Sequence, residues 1–128
     1  MTIELTYLTY SVLLTFVLLM IPSSTKVIQN GLATMAGSRD TLPEPSVFAR
    51  RGDRAAVNML ENMVLFVPLV LAAQIAGISN DSTILGAQLF LTGRLAHAIV
   101  YLAGWPWVRT LAWFVAVVGM AMIALEIL

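Results

Sequence analysis

One segment of the 128-residue chain places charged side chains on an otherwise apolar helix. Its polar residues follow one another at spacings of three or four: Arg51, Arg54, Asn58 and Glu61. Because an α-helix has about 3.6 residues per turn, these side chains share one face. Arginine binds carboxylates in a bidentate manner, and glutamate can accept an ammonium group. This face therefore suits a small anion that also carries a positive group.

A second apolar segment carries its own polar face, formed by Arg94, His97 and Tyr101 at spacings of three and four. Glu61 and Arg94 both lie roughly 12 to 15 Å inside the bilayer, counted at about 1.5 Å per helical residue. An unpaired charge at the centre of a membrane costs on the order of 2.5 to 3.5 kcal/mol. The sequence therefore predicts that Glu61 and Arg94 either form an ion pair or share a water-accessible pocket.

The composition is that of an integral membrane protein surrounded by lipid. Hydrophobic residues make up 59% of the chain and charged residues only 11%, with a mean hydropathy of +0.89, which excludes an ordinary soluble domain. Seven basic and seven acidic residues cancel, so the charge gives no reason to expect a nucleic-acid partner. The chain has no cysteine and a single histidine, so we expect no metal site.

Four apolar segments predict an all-α fold, a four-helix membrane bundle that forms one domain over residues 1–128. The expected helices cover about residues 5–21, 54–76, 83–103 and 108–128. Pro22 is expected to bend or end the first helix, although the helix could resume after it and continue before Gly37, and Gly77 is expected to end the second. In the last segment Ala112, Ala116 and Gly119 have the spacing of a face that packs closely against another helix.

Lysine and arginine are retained on the cytoplasmic side of membrane proteins, and here they mark one side of the bundle. Basic residues cluster around the first connection: Lys26, Arg39, Arg50, Arg51 and Arg54. Arg109 flanks the third connection, and the second has no basic residue. We therefore expect the first and third loops in the cytoplasm and both termini outside, with Trp105 and Trp107 at the cytoplasmic interface.

Simpler interpretations of the same residues remain open at this point. Glu61 and Arg94 could form an ion pair that only fixes how the helices pack. Arg50, Arg51 and Arg54 could act only as topology signals. A lone histidine such as His97 is more often a packed, hydrogen-bonded side chain than a catalyst.

The two polar faces resemble a known family, the membrane-associated proteins in eicosanoid and glutathione metabolism (MAPEG). Arg54–Asn62, R-A-A-V-N-M-L-E-N, is similar to the signature of the family's second helix. Arg94–Tyr101, R-L-A-H-A-I-V-Y, is similar to the pattern of its third helix. The resemblance covers the whole chain and is to compact bacterial members. It implies a homotrimer of four-helix subunits in a bacterial inner membrane, with glutathione bound between neighbouring subunits near the cytoplasmic side.

The resemblance also implies roles for individual residues. It assigns the binding of glutathione to Arg54, Asn58, Glu61, Arg94, His97 and Tyr101, with Arg51 assisting. Members of the family that conjugate glutathione use an arginine near the start of the fourth helix to stabilise the thiolate, and Arg109 matches it. The implied function is an enzyme with glutathione as co-substrate, which conjugates it to a lipophilic electrophile or reduces a lipid hydroperoxide reached from the bilayer.

Two functions of other classes are kept as alternatives. A small proton-coupled transporter could use Glu61 to exchange protons with a cationic substrate. A structural membrane protein would use these residues without chemistry. The enzyme is favoured because Arg94 is expected to neutralise Glu61, and a transporter of cations has little use for three arginines nearby.

Overall fold

The computed structural model describes all residues 1–128, which form helices and no strands. The helices are α1 Ile3–Asn30, α2 Leu32–Ala36, α3 Val47–Ile75, α4 Asp81–Ala103 and α5 Pro106–Ile127. All except the short α2 are long and apolar enough to cross a membrane. The predicted all-α architecture with four membrane-crossing helices is thus confirmed.

The helices α1 and α3 are longer than the sequence predicts. α1 does not end near Ile21 but continues through Pro22 to Asn30. α3 begins at Val47 rather than near Arg54, because the Ser46 side chain accepts a hydrogen bond from the Ala49 N–H and caps the helix there. With 28 and 29 residues the two helices are about 42 and 44 Å long, more than the ~30 Å of the hydrocarbon core. Both therefore extend beyond the membrane core.

Two contacts hold the extended parts of α1 and α3 together. Pro22 is buried against Gly52, where an added Cβ would lie 3.3 Å from the proline Cδ. One turn further, Lys26 Nζ forms an ion pair of 2.9 Å with Asp53 Oδ2. The proline that was expected to bend or end α1 thus lies inside a continuous helix, at a close contact with α3.

Small residues bring α4 and α5 into backbone contact. An added Cβ at Gly93 would lie 2.7 Å from the Ala116 nitrogen and 2.9 Å from the Ala112 oxygen. An added Cβ at Gly86 would lie 2.6 Å from the Gly119 oxygen. The predicted close-packing face of α5 is confirmed, and it packs α5 directly against α4.

At the end of the bundle that contains both termini, α1 is attached to the α3–α4 turn by a buried carboxylate. Glu4 is only 4% exposed, and its Oε1 accepts hydrogen bonds from Ser79 Oγ at 2.9 Å and from Thr83 Oγ1 at 2.7 Å. Hydrogen bonds to an ionised acceptor are stronger than those between neutral groups. This cluster therefore fixes the turn that connects the two site-bearing helices, α3 and α4.

Replacing Glu4 by alanine is expected to destabilise the protein, because the Ser79 hydroxyl loses its acceptor and the Thr83 hydroxyl loses its shorter hydrogen bond. We expect a loss of about 1–3 kcal/mol, seen as a lower unfolding temperature of the detergent-purified protein. Glu126→Ala is the matched control, since its carboxylate accepts only an exposed hydrogen bond from Asn80. Equal unfolding temperatures for the two variants would contradict the structural role of Glu4.

Candidate functional site

A polar cleft opens at the end of the bundle opposite Glu4, between α3, α4 and α5. It consists of two adjoining cavities of about 310 and 350 Å³. The first is lined by Asp53, Arg54, Val57, Asn58, Glu61 and Tyr101. The second is lined by Asn58, His97, Tyr101, Arg109, Thr110 and Trp113. Because Asn58 and Tyr101 line both cavities, we treat them as one polar cleft.

Arg94 lies behind the polar cleft and is only 1% exposed. Its Nη2 donates a hydrogen bond of 2.7 Å to Asn58 Oδ1, and its Nε lies 3.4 Å from Met59 Sδ. Its Nη1 is the one buried side-chain polar atom of the chain that has no hydrogen-bond partner. No carboxylate lies within ion-pair distance of the guanidinium. A buried cation without a counter-ion in the chain is costly.

The predicted ion pair between Glu61 and Arg94 is wrong. The ion pairs of the chain are Lys26–Asp53 and Arg50–Glu44, and Glu61 is exposed at the wall of the polar cleft. Counting residues along a helix predicts how deep a charged side chain lies in the membrane. It does not show how the helix is rotated about its axis, and therefore which neighbour the side chain contacts. It is Asn58, one turn before Glu61, that contacts Arg94. The other expectation was that Glu61 and Arg94 share a pocket. Glu61 lines the polar cleft, whereas Arg94 contacts Asn58 in the wall of the cleft.

The contact with Arg94 determines which nitrogen of His97 carries the proton. His97 Nδ1 lies 3.4 Å from Arg94 Nη2. A guanidinium only donates hydrogen bonds, so a hydrogen bond across this contact requires Nδ1 to accept and assigns the proton to Nε2. His97 lines the second cavity, so its Nε2–H is available there as a donor.

Tyr101 links His97 to Arg109 at the second cavity. The Tyr101 ring lies 5.4 Å from the His97 ring, centroid to centroid. The Arg109 guanidinium lies 4.8 Å from the same Tyr101 centroid, in cation–π geometry. Arg109 belongs to the first turn of α5, whose position is fixed by the close packing against α4. The cleft thus holds one half-buried cation at a defined place in its wall.

Arg51 is the one candidate that the structure does not place at the polar cleft. Its Nη1 lies 3.5 Å from the Leu102 carbonyl oxygen, at the carboxyl end of α4. Its guanidinium covers Gly104, where an added Cβ would lie 2.9 Å from Arg51 Cζ. Gly104 also has a φ of 82°, a left-handed backbone conformation that favours glycine. Glycine is thus favoured at this position both by the backbone conformation and by the close approach of Arg51. Arg51 therefore stabilises the α4–α5 turn, and the other seven candidates line or contact the cleft.

The residues at the site that were not assigned a role from the sequence include Asp53, Val57, Trp113 and Asn62. Asp53 and Val57 line the first cavity. Asn62 is 6% exposed, and its Nδ2 donates a hydrogen bond of 2.8 Å to the Asn58 carbonyl oxygen. The contact of Asn62 could have been predicted from its spacing of four residues from Asn58, because polar side chains on a helix can hydrogen-bond to the carbonyl one turn earlier.

An apolar groove lies on the outer surface of α3 and α5, further into the membrane region than Glu61. Its volume is about 490 Å³, and its lining is Val64, Leu65, Pro68, Leu69, Val117, Met120, Ala121 and Ala124. Leu65 lies one helical turn beyond Glu61, so the groove begins close to the wall of the polar cleft. The chain contains no group of three or more histidine, cysteine, aspartate or glutamate side chains that could hold a metal ion.

These features define a multi-pass, four-helix membrane protein with a charged cleft at one end and an apolar groove beside it. The chain belongs to the MAPEG family, whose family model matches residues 5–128. The resemblance noted at Arg54–Asn62 and Arg94–Tyr101 is thereby confirmed. This family includes glutathione transferases and peroxidases, and its members generally use glutathione. No curated protein matches the chain.

Proposed function

We propose that the protein is a glutathione-dependent membrane enzyme that conjugates glutathione to a lipophilic electrophile or uses it to reduce a lipid hydroperoxide. The observation that carries this proposal is Arg94, a buried cation with an unused donor and no acidic partner behind an open cleft. A ligand that brings carboxylates into the cleft offsets that charge. Glutathione carries carboxylates, an ammonium group and a thiol.

The charges around the polar cleft complement those groups of glutathione. Arg54 is exposed at the first cavity and can bind a carboxylate in a bidentate manner. Glu61, in the same wall, has no cation partner and can accept the ammonium group. Asn58 and the Nε2–H of His97 supply neutral donors between them. Arg51 supports the site from the α4–α5 turn rather than by contact.

Arg109 is the residue that we assign to the chemical step. When bound, glutathione would supply a thiol that loses its proton and bonds to the carbon of an electrophile, whose leaving group departs or whose neighbouring atom takes up a proton. In the alternative reaction, two glutathione thiols would reduce a hydroperoxide to an alcohol and water and become a disulfide. A free thiol has a pKa near 8.5 and is mostly protonated at pH 7. A guanidinium beside the bound sulfur favours the thiolate and lowers that pKa. Tyr101 holds the Arg109 guanidinium at the second cavity, and Thr110 lines the same cavity with a hydroxyl.

The lipophilic substrate is proposed to reach the cleft from the bilayer along the apolar groove. The lining of this groove is almost entirely hydrophobic, and it begins one turn from Glu61. Lipid tails and the groove lining are both apolar, so an acyl chain can pass from the bilayer into the groove without a desolvation cost. The reactive end of such a molecule would then lie next to the polar cleft.

We further propose that the protein is a homotrimer with the cleft between subunits. Glu61 is exposed on a membrane-crossing helix, among exposed apolar side chains such as Val57, Val64 and Leu65. A carboxylate that faces lipid is costly, and a second copy of the chain packed on this face would shield it. Lys26, Arg39 and Arg50 surround this end of the bundle, so we place the cleft on the cytoplasmic side of a bacterial inner membrane, with the termini outside.

Equilibrium binding of glutathione to detergent-purified protein tests the proposal. The wild type is expected to bind glutathione saturably. The variants Arg54→Ala and Glu61→Gln are expected to bind it about tenfold or more weakly, because each substitution removes a charge-assisted contact. Arg50→Ala is the matched control, since Arg50 is exposed and lies outside the cleft, 3.8 Å from Glu44. Absence of saturable binding by the wild type would remove the proposal.

Proton-coupled transport is the second candidate, because Glu61 is an acid in a membrane-crossing helix without a cation partner. This candidate predicts uptake of a cation into vesicles that is driven by a proton gradient and lost in Glu61→Gln. Such uptake without glutathione binding would replace the enzyme with the transporter.

A further inference from the structure

Asn58 is held by two buried neighbours, and its orientation can be read from their chemistry. Arg94 Nη2 lies 2.7 Å from one terminal atom of the Asn58 amide. A guanidinium has donors only, so that atom is the oxygen Oδ1. The amide nitrogen Nδ2 of Asn58 makes no hydrogen bond within the chain and is not buried. Asn58 lines both cavities, so this nitrogen is presented to the polar cleft as a free donor.

Asn62 adds a second constraint from the protein interior. Its Nδ2 donates to the Asn58 carbonyl at 2.8 Å and lies 3.4 Å from Asn58 Oδ1. The Asn58 oxygen therefore accepts a short hydrogen bond from Arg94 on α4 and has a second, longer contact with the Asn62 donor on α3. With a single donor the Asn58 amide could still rotate about that bond. With two donors, the plane of the amide is fixed.

We infer that Asn62 is a positioning residue, which fixes the Asn58 amide so that its N–H groups face the polar cleft and select an acceptor, such as a carboxylate, at that point. The identity of the bound carboxylate rests on the proposed function. The orientation of Asn58 itself is a property of the free protein, so the two can fail separately. Asn62 does not line the cleft and acts only through Asn58.

The test combines glutathione affinity with a direct signal from Asn58. Asn62→Leu keeps the side-chain volume and removes the donor, and we expect about three- to tenfold weaker binding, the worth of one neutral hydrogen bond. Asn62→Ser is the second variant, because its hydroxyl can still donate to the Asn58 carbonyl but cannot reach Oδ1. The matched control is Thr15→Val. Thr15 is 9% exposed, donates to a carbonyl four residues back at 2.8 Å, and lines neither cavity of the cleft.

The side-chain amide of Asn58 is followed by NMR in protein labelled with ¹⁵N-asparagine and assigned by its absence in Asn58→Asp. In the ligand-free protein, both Asn62 variants are expected to shift the Asn58 amide signals and speed their exchange with water, whereas Thr15→Val leaves them unchanged. This readout separates positioning from general destabilisation, which would affect Thr15→Val as well.

Weaker binding together with an altered Asn58 signal, in either Asn62 variant that folds, supports the inference. Unchanged Asn58 signals in the Asn62 variants overturn it, as does an equal loss of affinity in Thr15→Val. Should the wild type bind no glutathione, the proposed function fails, and the Asn58 signals of the ligand-free proteins still decide the role of Asn62.

Discussion

Arg94→Met is expected to weaken glutathione binding about hundredfold or more while it leaves the unfolding temperature unchanged or raises it. The guanidinium is almost fully buried without a counter-ion, and replacing buried charge by a well-packed apolar side chain is often neutral or stabilising. The same charge attracts the carboxylates of the proposed ligand and orients Asn58. Loss of affinity without loss of stability would identify Arg94 as a residue kept for binding.

Two measurements on the same preparations check this expectation, glutathione affinity and thermal unfolding in detergent. Arg94→Lys is the comparison variant, because it keeps a cation but loses the rigid guanidinium whose Nη2 contacts Asn58 and His97 and whose Nε contacts Met59. It is expected to bind with an affinity between those of Arg94→Met and the wild type. A large drop in the unfolding temperature of Arg94→Met, with affinity retained by the folded fraction, would make Arg94 a structural residue.

Arg109→Leu is expected to lower kcat for conjugation of a small aromatic electrophile by about 10²- to 10³-fold, the usual cost of removing one group that stabilises developing or formed negative charge. The KM for glutathione is expected to change much less, because the carboxylates and the ammonium group are bound by other residues. The half-buried guanidinium is held over Tyr101, so its loss removes a cation from a fixed point in the second cavity.

The pH dependence of the same variant gives an independent check. With Arg109 present the pKa of the bound thiol is lowered, so the rate is already near its maximum at neutral pH. Without it the thiol titrates near its free pKa of about 8.5, and the rate should rise with pH up to that value. Arg39→Leu serves as control, because Arg39 lies at this end of the bundle but outside the cleft. If Arg109→Leu turns over at the wild-type rate, the thiolate is stabilised by another residue.

The number of membrane-crossing helices could be predicted from the sequence, because hydropathy reports directly which segments can be surrounded by lipid. The residues at which α1 ends and α3 begins could not be predicted from hydropathy. Hydropathy falls where α1 leaves the membrane core after Pro22, although the helix itself continues, packed on Gly52 and joined to α3 through Lys26. Such ends depend on contacts between helices rather than on local composition.

The residues of the candidate site were found more reliably than their contacts. Helical spacing placed Asn58 and Glu61 on one face of α3, and both line the cleft. The partner of Arg94 depends on the rotation of α4 against α3, which spacing within one helix does not contain, and the structure gives Asn58 instead of Glu61. Arg51 shares the face of Arg54 but reaches Gly104, because the α4–α5 turn lies beside its end of α3.

The central claim, that the polar cleft binds glutathione and favours its thiolate, is tested most directly by proton release during binding. Glutathione is titrated into the purified protein in weakly buffered solution at pH 7, with S-methylglutathione as the control that has no thiol proton. We predict saturable binding of both ligands, with release of close to one proton for glutathione alone, because its thiol pKa falls from about 8.5 to well below the working pH. Absence of saturable binding would contradict the claim, and binding without proton release would contradict the role of Arg109.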